Sequence, residues 1–220
     1  MTSKRLTHFL SIPLHHSRHI KDSLTDLQAE IATRHGYVPL SCLSQWQSMH
    51  ITIAVMSLQD KRAIAAALAE LHAMSQEESS SSIWPQQGFD IGLQGLNTFT
   101  NQSPRQAAVV FADVVGPDKE RLQEFVNNVK RHFVARGLIA DNDNNGDDGQ
   151  SVKLHASIIR MGSVFENGRP RRKLIDARKL IKRYRNHTFL RPERLPEIQL
   201  CLMGKTETGY YRCEGTVPLP

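Results

Sequence analysis

Two short runs constrain this 220-residue chain more than anything else in it. "QSMHITIAVMS" contains His50 and Thr52, and "SVKLHASIIRM" contains His155 and Ser157. Both runs are rich in β-branched and apolar residues, so both read as strands. In a strand, residues i and i+2 point to the same face, about 6.5–7 Å apart. His50 therefore shares a face with Thr52, and His155 shares one with Ser157. Their neighbours Ile51, Ile53, Ala156 and Ile158 point the other way, into apolar packing. A fold that accepts these runs must lay a core against one face of each strand. It must leave the other face, with its imidazole and hydroxyl, to something polar.

The rest of the chain supplies elements for such a core. "THFLSIPL" (7–14) reads as a strand, and Ser17 as the N-cap of a helix carrying Ile20, Leu24, Leu27 and Ile31, stopped at Gly36. After the strand over 49–56, a helix is expected over 61–74 around Ile64, Leu68 and Leu71. Strands are expected over 89–96 and 106–115, the second ended by Gly116-Pro117. A third helix follows over 118–136, with Leu122, Phe125, Val129 and Phe133 inward and Gly137 at its end. A fourth is expected over 174–185 around Leu174, Ala177, Ile181 and Tyr184. Strands over 197–203 and 210–219, joined by a turn with Gly209, close the chain. "SQEESSSS" (75–82) and "ADNDNNGDDGQ" (140–150) are expected loops. The order strand, helix, histidine strand, helix, strand occurs twice, before and after about residue 103. A duplicated unit relates its halves by a pseudo-two-fold axis, which would carry His50 and His155 to opposite sides of one cleft.

Composition sets the class. Hydrophobic residues make up 40% of the chain, enough for a packed interior in one large domain. No run approaches the roughly 20 apolar residues of a membrane span, so no membrane partner is expected. The first apolar run is too brief for a secretory signal, and an intracellular chain is expected. The three cysteines, Cys42, Cys201 and Cys213, have neither metal-finger nor redox spacing and read as free thiols. The net charge of +6 is unevenly spread: residues 169–194 hold eleven Lys/Arg against two acids, leaving about −3 over the rest. That asymmetry points to a polyanion such as RNA, with a solvated helix face as the competing reading. "RPRRK" (169–173) has the form of a nuclear import signal, so the nucleus is expected, with the cytoplasm as the alternative.

The chemistry follows from the paired motifs. Two hydroxyls can donate to phosphate oxygens, and of two imidazoles that titrate near neutrality one can accept a proton while the other gives one. That set suits in-line displacement at phosphorus without metal or cofactor. The sequence has no HExxH, no carboxylate cluster at ligand spacing and no Gly-rich phosphate loop. Arg160, just after the second motif, and Arg171, Arg172 and Lys173 in the basic segment are candidate phosphate contacts. Tyr210, Tyr211 and Phe9 are candidates to stack a base, a core position being the competing reading of each. A third copy, His15-His16-Ser17, sits at a strand-to-helix junction, where Ser17 is more simply a cap.

With its "HIT" and "HAS" strands, the chain resembles the two-histidine (2H) phosphoesterase superfamily, which includes bacterial RNA 2′,3′-cyclic phosphodiesterases. "THFLSIPL", "MHITIAVMSL", "KLHASII", "GRPRRKLIDARKLIKRY" and "IQLCLMGKTETGYYRCEGTVPLP" are similar to its eukaryotic branch. That branch holds the phosphoesterase domain of activating signal cointegrator 1 complex subunit 1 and the central domain of the A-kinase anchor proteins. The resemblance implies a single bilobal α+β domain of LigT-like fold over 1–220, in which two antiparallel sheets face each other with helices outside. Its pseudo-repeat lobes would cover roughly 1–103 and 104–220, with exchange of strands allowed. It implies His50, Thr52, His155 and Ser157 as the catalytic quartet. The implied substrates are RNA or oligonucleotides with 2′,3′-cyclic phosphate ends or 2′–5′ or 3′–5′ linkages. Membership of a multi-subunit coactivator complex, by a chain monomeric on its own, is also implied. The alternative is a non-enzymatic coactivator or repair-complex subunit that keeps the pocket for binding. The KH-type module that precedes the domain in the animal cointegrator subunit is not expected here. Ser157 stands where threonine is commoner, and retains the hydroxyl.

Overall fold

The computed structural model describes residues 5–77, 83–139, 151–166 and 169–220. Most of the loop read at 75–82 and the acidic loop at 140–150 therefore lie outside the described residues. Eight strands form one antiparallel sheet. In chain order these are β1 (His8–Pro13), β2 (His50–Met56), β3 (Asp90–Asn97), β4 (Val109–Val115), β5 (His155–Arg160), β8 (Thr188–Arg194), β9 (Glu197–Lys205) and β10 (Tyr211–Pro218). A separate hairpin pairs β6 (Ser163–Glu166) with β7 (Arg169–Arg172). The helices are α1 (Arg18–Arg34), α2 (Lys61–Ser75), α3 (Lys119–Ala135) and α4 (Arg178–Arg183). Among the described residues no helix is long and apolar enough to cross a membrane.

The spatial order is β10-β9-β1-β2-β5-β4-β3-β8. It is symmetric about its centre: β2 answers β5, β1 answers β4, β9 answers β3 and β10 answers β8. The two antiparallel halves are thus four strands each, and they meet edge to edge at one ladder pair, Ile51 opposite Ala156. Each half draws on both parts of the chain, since β3 lies with β4 and β5, and β9 and β10 lie with β1 and β2.

Helical periodicity decides what covers the sheet. Ile20, Leu24, Leu27 and Ile31 of α1 are all buried, as are Leu122, Phe125, Val129 and Phe133 of α3. Ser17 caps α1 by accepting from the Ile20 amide, and its own hydroxyl donates to Glu193 Oε2 at 2.9 Å. The end of α3 is a Schellman turn: the Leu138 amide reaches the Phe133 carbonyl, and Gly137 takes φ +69° at the position where a side chain would be strained.

Three elements depart from the sequence reading, each for a local reason. α4 starts at Arg178 rather than 174, because Ile175 exchanges both backbone hydrogen bonds with Ala107 and Asp176 accepts from the Arg178 amide. Leu174, expected inward, is therefore left half-exposed. "TFLRPER" forms β8, whose Pro192 suits an edge position because a proline cannot donate to a further strand. The β6–β7 hairpin folds the start of the basic segment back against residues 163–166 and positions Arg172.

Candidate active site

β2 and β5 both begin with a histidine and bury their residues in the same rhythm: half-exposed, buried, half-exposed, buried, buried. Ile51 and Ala156, wholly buried, fix the join. The antiparallel sense at that pair puts His50 on the Ser157 side of the join and Thr52 on the His155 side. The two imidazoles become diagonal neighbours, for which about 7–8 Å between backbone positions is usual. Beyond Ala156, β5 turns from β2 to a new partner. The Ser44 amide donates to the Ile158 carbonyl at 2.8 Å, and the Ser44 hydroxyl to the Ser157 carbonyl at 2.7 Å.

Two cavities flank the join. One, of about 230 Å³, is lined by Thr52, Phe99, Lys153, His155, Ser157 and Arg172 among others. The other, of about 170 Å³, is lined by residues that include Ser44, Ser48, His50, Ser157, Arg160 and Tyr211. Ser157 and Arg160 line both, and the Arg160 guanidinium donates to Ser157 Oγ at 3.2 Å. The four residues of the two motifs thus border one divided space, with Arg160 at the division.

Each histidine is held in the same way. His50 Nδ1 lies 2.7 Å from the Ser48 carbonyl, and His155 Nδ1 lies 2.7 Å from the Lys153 carbonyl. A carbonyl only accepts, so in both rings Nδ1 carries the proton and Nε2 is the nitrogen that exchanges protons with a ligand. Each ring also has two aromatic neighbours. Phe9 and Tyr211 stand 5.0 and 5.3 Å from His50, and Phe99 and Phe111 each stand 5.0 Å from His155.

Burial holds the His155 pKa below the ordinary imidazole value, helped by the charges of Arg160 and Lys153 and opposed by the Lys153 carbonyl and Asp113. Asp113 is its register partner on β4 and lies 4.0 Å from Lys153. Desolvation also lowers His8, His15 and His187. Groups whose folded pKa is depressed bind their protons more readily when unfolded. Their stability contribution is therefore intact above about pH 6.5, the unfolded value, and is lost as pH falls below it. The melting temperature should hold above about pH 7 and drop between pH 7 and 5. Thermal unfolding across that window checks this, and a melting temperature that rises on acidification would contradict it.

The remaining expected site residues are spread more widely. Arg172 lines the His155 cavity, whereas Arg171 and Lys173, exposed beside it, line neither cavity. Tyr210 borders a third space of about 190 Å³ and stands edge-on to His15 and Trp46, at 5.3 and 6.0 Å. Tyr211 is the tyrosine beside His50 and Arg160. Lys153 was legible by the i+2 rule, since it precedes His155 by two extended residues. Ser44 and Phe99 sit outside regular strands and carry no periodic signal.

Residues 6–219 match the family model described as the AKAP7 2'5' RNA ligase-like domain. No curated protein sequence matches the chain. Among solved structures, E. coli LigT complexed with 3'-AMP superposes with a TM-score of 0.59 at 13% identity, over 97% of this chain and 98% of that one. A structure described only as a phosphoesterase gives 0.58 at 14% identity, over 97% and 98%. The TT0787 protein of Thermus thermophilus gives 0.56 at 15%, over 97% of each chain. At these identities the likeness is one of fold, which is LigT-like. With the family model spanning almost its whole length, the chain belongs to the AKAP7 2'5' RNA ligase-like domain family, within the two-histidine phosphoesterase superfamily, whose members are generally phosphodiesterases.

Proposed function

We propose that the chain is a metal-independent phosphodiesterase acting on RNA ends with 2′,3′-cyclic phosphates or on 2′–5′ or 3′–5′ linked oligonucleotides. The observation that carries this reading is the shared border of the two cavities. Two imidazoles fixed through Nδ1 flank a space at whose division stand a hydroxyl and a guanidinium. The E. coli LigT neighbour has been solved with 3'-AMP, phosphate, ATP and NADP+, which supports a ligand built from nucleotides and phosphate.

In the proposed reaction His155 is the base, because its lowered pKa keeps it neutral at pH 7. Its Nε2 takes the proton of the attacking water or hydroxyl as the new phosphorus–oxygen bond forms. His50 Nε2 gives a proton to the departing oxygen as the opposite bond breaks. Thr52 and Ser157 donate to the non-bridging oxygens, and Arg160 balances the charge they carry in the transition state. Arg160→Ala should lower kcat/KM roughly 10- to 100-fold, the equivalent of one hydrogen bond to a charged group, with circular dichroism unchanged.

The strand beyond the scissile phosphate has a track to follow. A groove of about 600 Å³ is lined by Asp113, the register partner of His155, together with Asn97, Gln94, Lys182 and Arg185. Lys182→Glu with Arg185→Glu should weaken oligonucleotide binding and flatten its salt dependence by about one unit for each phosphate no longer neutralised. Filter binding at several salt concentrations measures this, and an unchanged slope would remove the groove from the reading. We also propose a nuclear site of action, with the cytoplasm as alternative, to be checked by imaging a tagged chain.

The deciding assay incubates the chain, in EDTA, with oligonucleotides ending in 2′,3′-cyclic phosphate and with 2′–5′ and 3′–5′ linked oligomers. Turnover of one class that disappears with either histidine is the expected result. Binding without turnover of any of them would favour the non-enzymatic subunit.

A further inference from the structure

Two cysteines that the proposed reaction does not use face the same open side of the sheet. On β9, Ile198 and Leu200 point into the core, so Gln199 and Cys201 point to the other face. Cys213 of β10 is the register partner of Cys201. Directly opposed residues of antiparallel strands lie about 4.5–5.5 Å apart at Cα, inside the roughly 4.4–6.8 Å that a disulfide spans. The two thiols line one cavity together with His15, His50, Tyr210 and Tyr211. Cys201 is buried and Cys213 is exposed, so one of the pair meets solvent.

Their chemistry is unequal. The neighbouring Cys201 thiol holds Cys213 toward the thiolate and is itself pushed the other way; the Cys201 thiol donates to Gln199 Oε1 at 3.6 Å and the Cys213 thiol to the Gly215 carbonyl at 3.3 Å. The exposed sulfur is therefore the better nucleophile and the buried one its resolving partner. β10 also changes register on both sides of Cys213, which makes this the point where the strand can shift. Two residues before it, Tyr211 stands edge-on to His50 at 5.3 Å and to Phe9 at 4.8 Å.

We propose that Cys201 and Cys213 form a reversible thiol–disulfide site, oxidised by hydroperoxides, whose closure moves Tyr211 against His50. The Cys213 thiolate attacks a peroxide oxygen, the oxygen–oxygen bond breaks, and a sulfenic acid and one hydroxide result. Cys201 then attacks that sulfur, the sulfur–oxygen bond breaks, and the departing hydroxide takes up the thiol's proton. The two thiols lose two electrons and two protons, and hydrogen peroxide becomes two waters. The new bond, about 2.05 Å long, replaces a non-bonded contact and draws β10 toward β9. A cross-strand bond with one exposed sulfur belongs to the labile, regulatory kind.

The site itself is tested without reference to turnover. Reduced full-length chain is treated with hydrogen peroxide, alkylated and mapped by mass spectrometry. The expected product links Cys201 to Cys213, leaves only Cys42 alkylated and reverts with dithiothreitol; Cys213→Ser gives no link. Three alkylated cysteines after peroxide, or a Cys213 oxidised to sulfinic acid without the link, would overturn the site. The coupling to His50 is read by its ring nitrogen resonances, which should shift on oxidation in the parent and not in Cys213→Ser; an unmoved signal would overturn the coupling. The effect on catalysis rests on the proposed phosphodiesterase reading. There kcat/KM should fall by about tenfold, within what a displacement under ~1 Å costs, and recover on reduction. A chain inactive in both redox states would count against that reading alone.

Discussion

His50→Ala and His155→Ala are each expected to lose about 10²–10⁴-fold in turnover, the usual contribution of a proton-transferring group. Both side chains are half-exposed and sit at the first position of their strands, so neither substitution opens a core cavity. Far-ultraviolet circular dichroism and melting temperature should therefore change little. The double variant should be scarcely worse than either single one, because one step needs both proton transfers and groups acting as a unit are not additive. Rates of the two single variants and of the double variant on one oligonucleotide check this. Losses that multiply in the double variant would mean that the imidazoles act independently.

Phe111→Ala should have the largest effect on stability near the site. Phe111 is wholly buried on β4, with Phe99 at 4.9 Å and the His155 ring at 5.0 Å. Truncating a buried phenylalanine costs about 3–5 kcal/mol, from lost transfer energy and the cavity left behind. It also admits water to His155, whose pKa is lowered first by desolvation. The acid limb of kcat/KM should thus move up toward the ordinary imidazole value of about 6.5. Urea unfolding gives the first quantity and a pH–rate profile the second. Phe111→Leu keeps more of the packing and provides the same pH test in a sturdier chain. An acid limb that stays in place in both variants would take His155 out of the base role.

Much of this molecule was legible in its sequence because hydrophobic period and caps agree with the tertiary fold. α1 and α3 bury the residues their spacing selected; Ser17 starts α1 and Gly137 ends α3 where their chemistry demands. The paired motifs were legible as faces of strands, since i and i+2 share a side in any extended run. What spacing could not show is which strands become neighbours. The join of β2 to β5 rests on Ile51 and Ala156, and no local pattern marks that pair. The basic segment was the hardest part. Its charges hid the strands β7 and β8, and a long-range bridge from Ile175 to Ala107 overrode the helical spacing of Leu174. Tyr210 and Tyr211 are adjacent in sequence, yet only Tyr211 reaches the cavity beside His50 and Arg160, a distinction that the path of β10 makes.

The most direct test of the paired-imidazole site is a crystal structure with inorganic phosphate bound. One anion is expected within hydrogen-bond distance, about 2.7–3.2 Å, of Nε2 of His50 and Nε2 of His155 together, with Arg160 on a third oxygen. A phosphate that contacts only one of the two rings, or that settles away from Ser157, would contradict it.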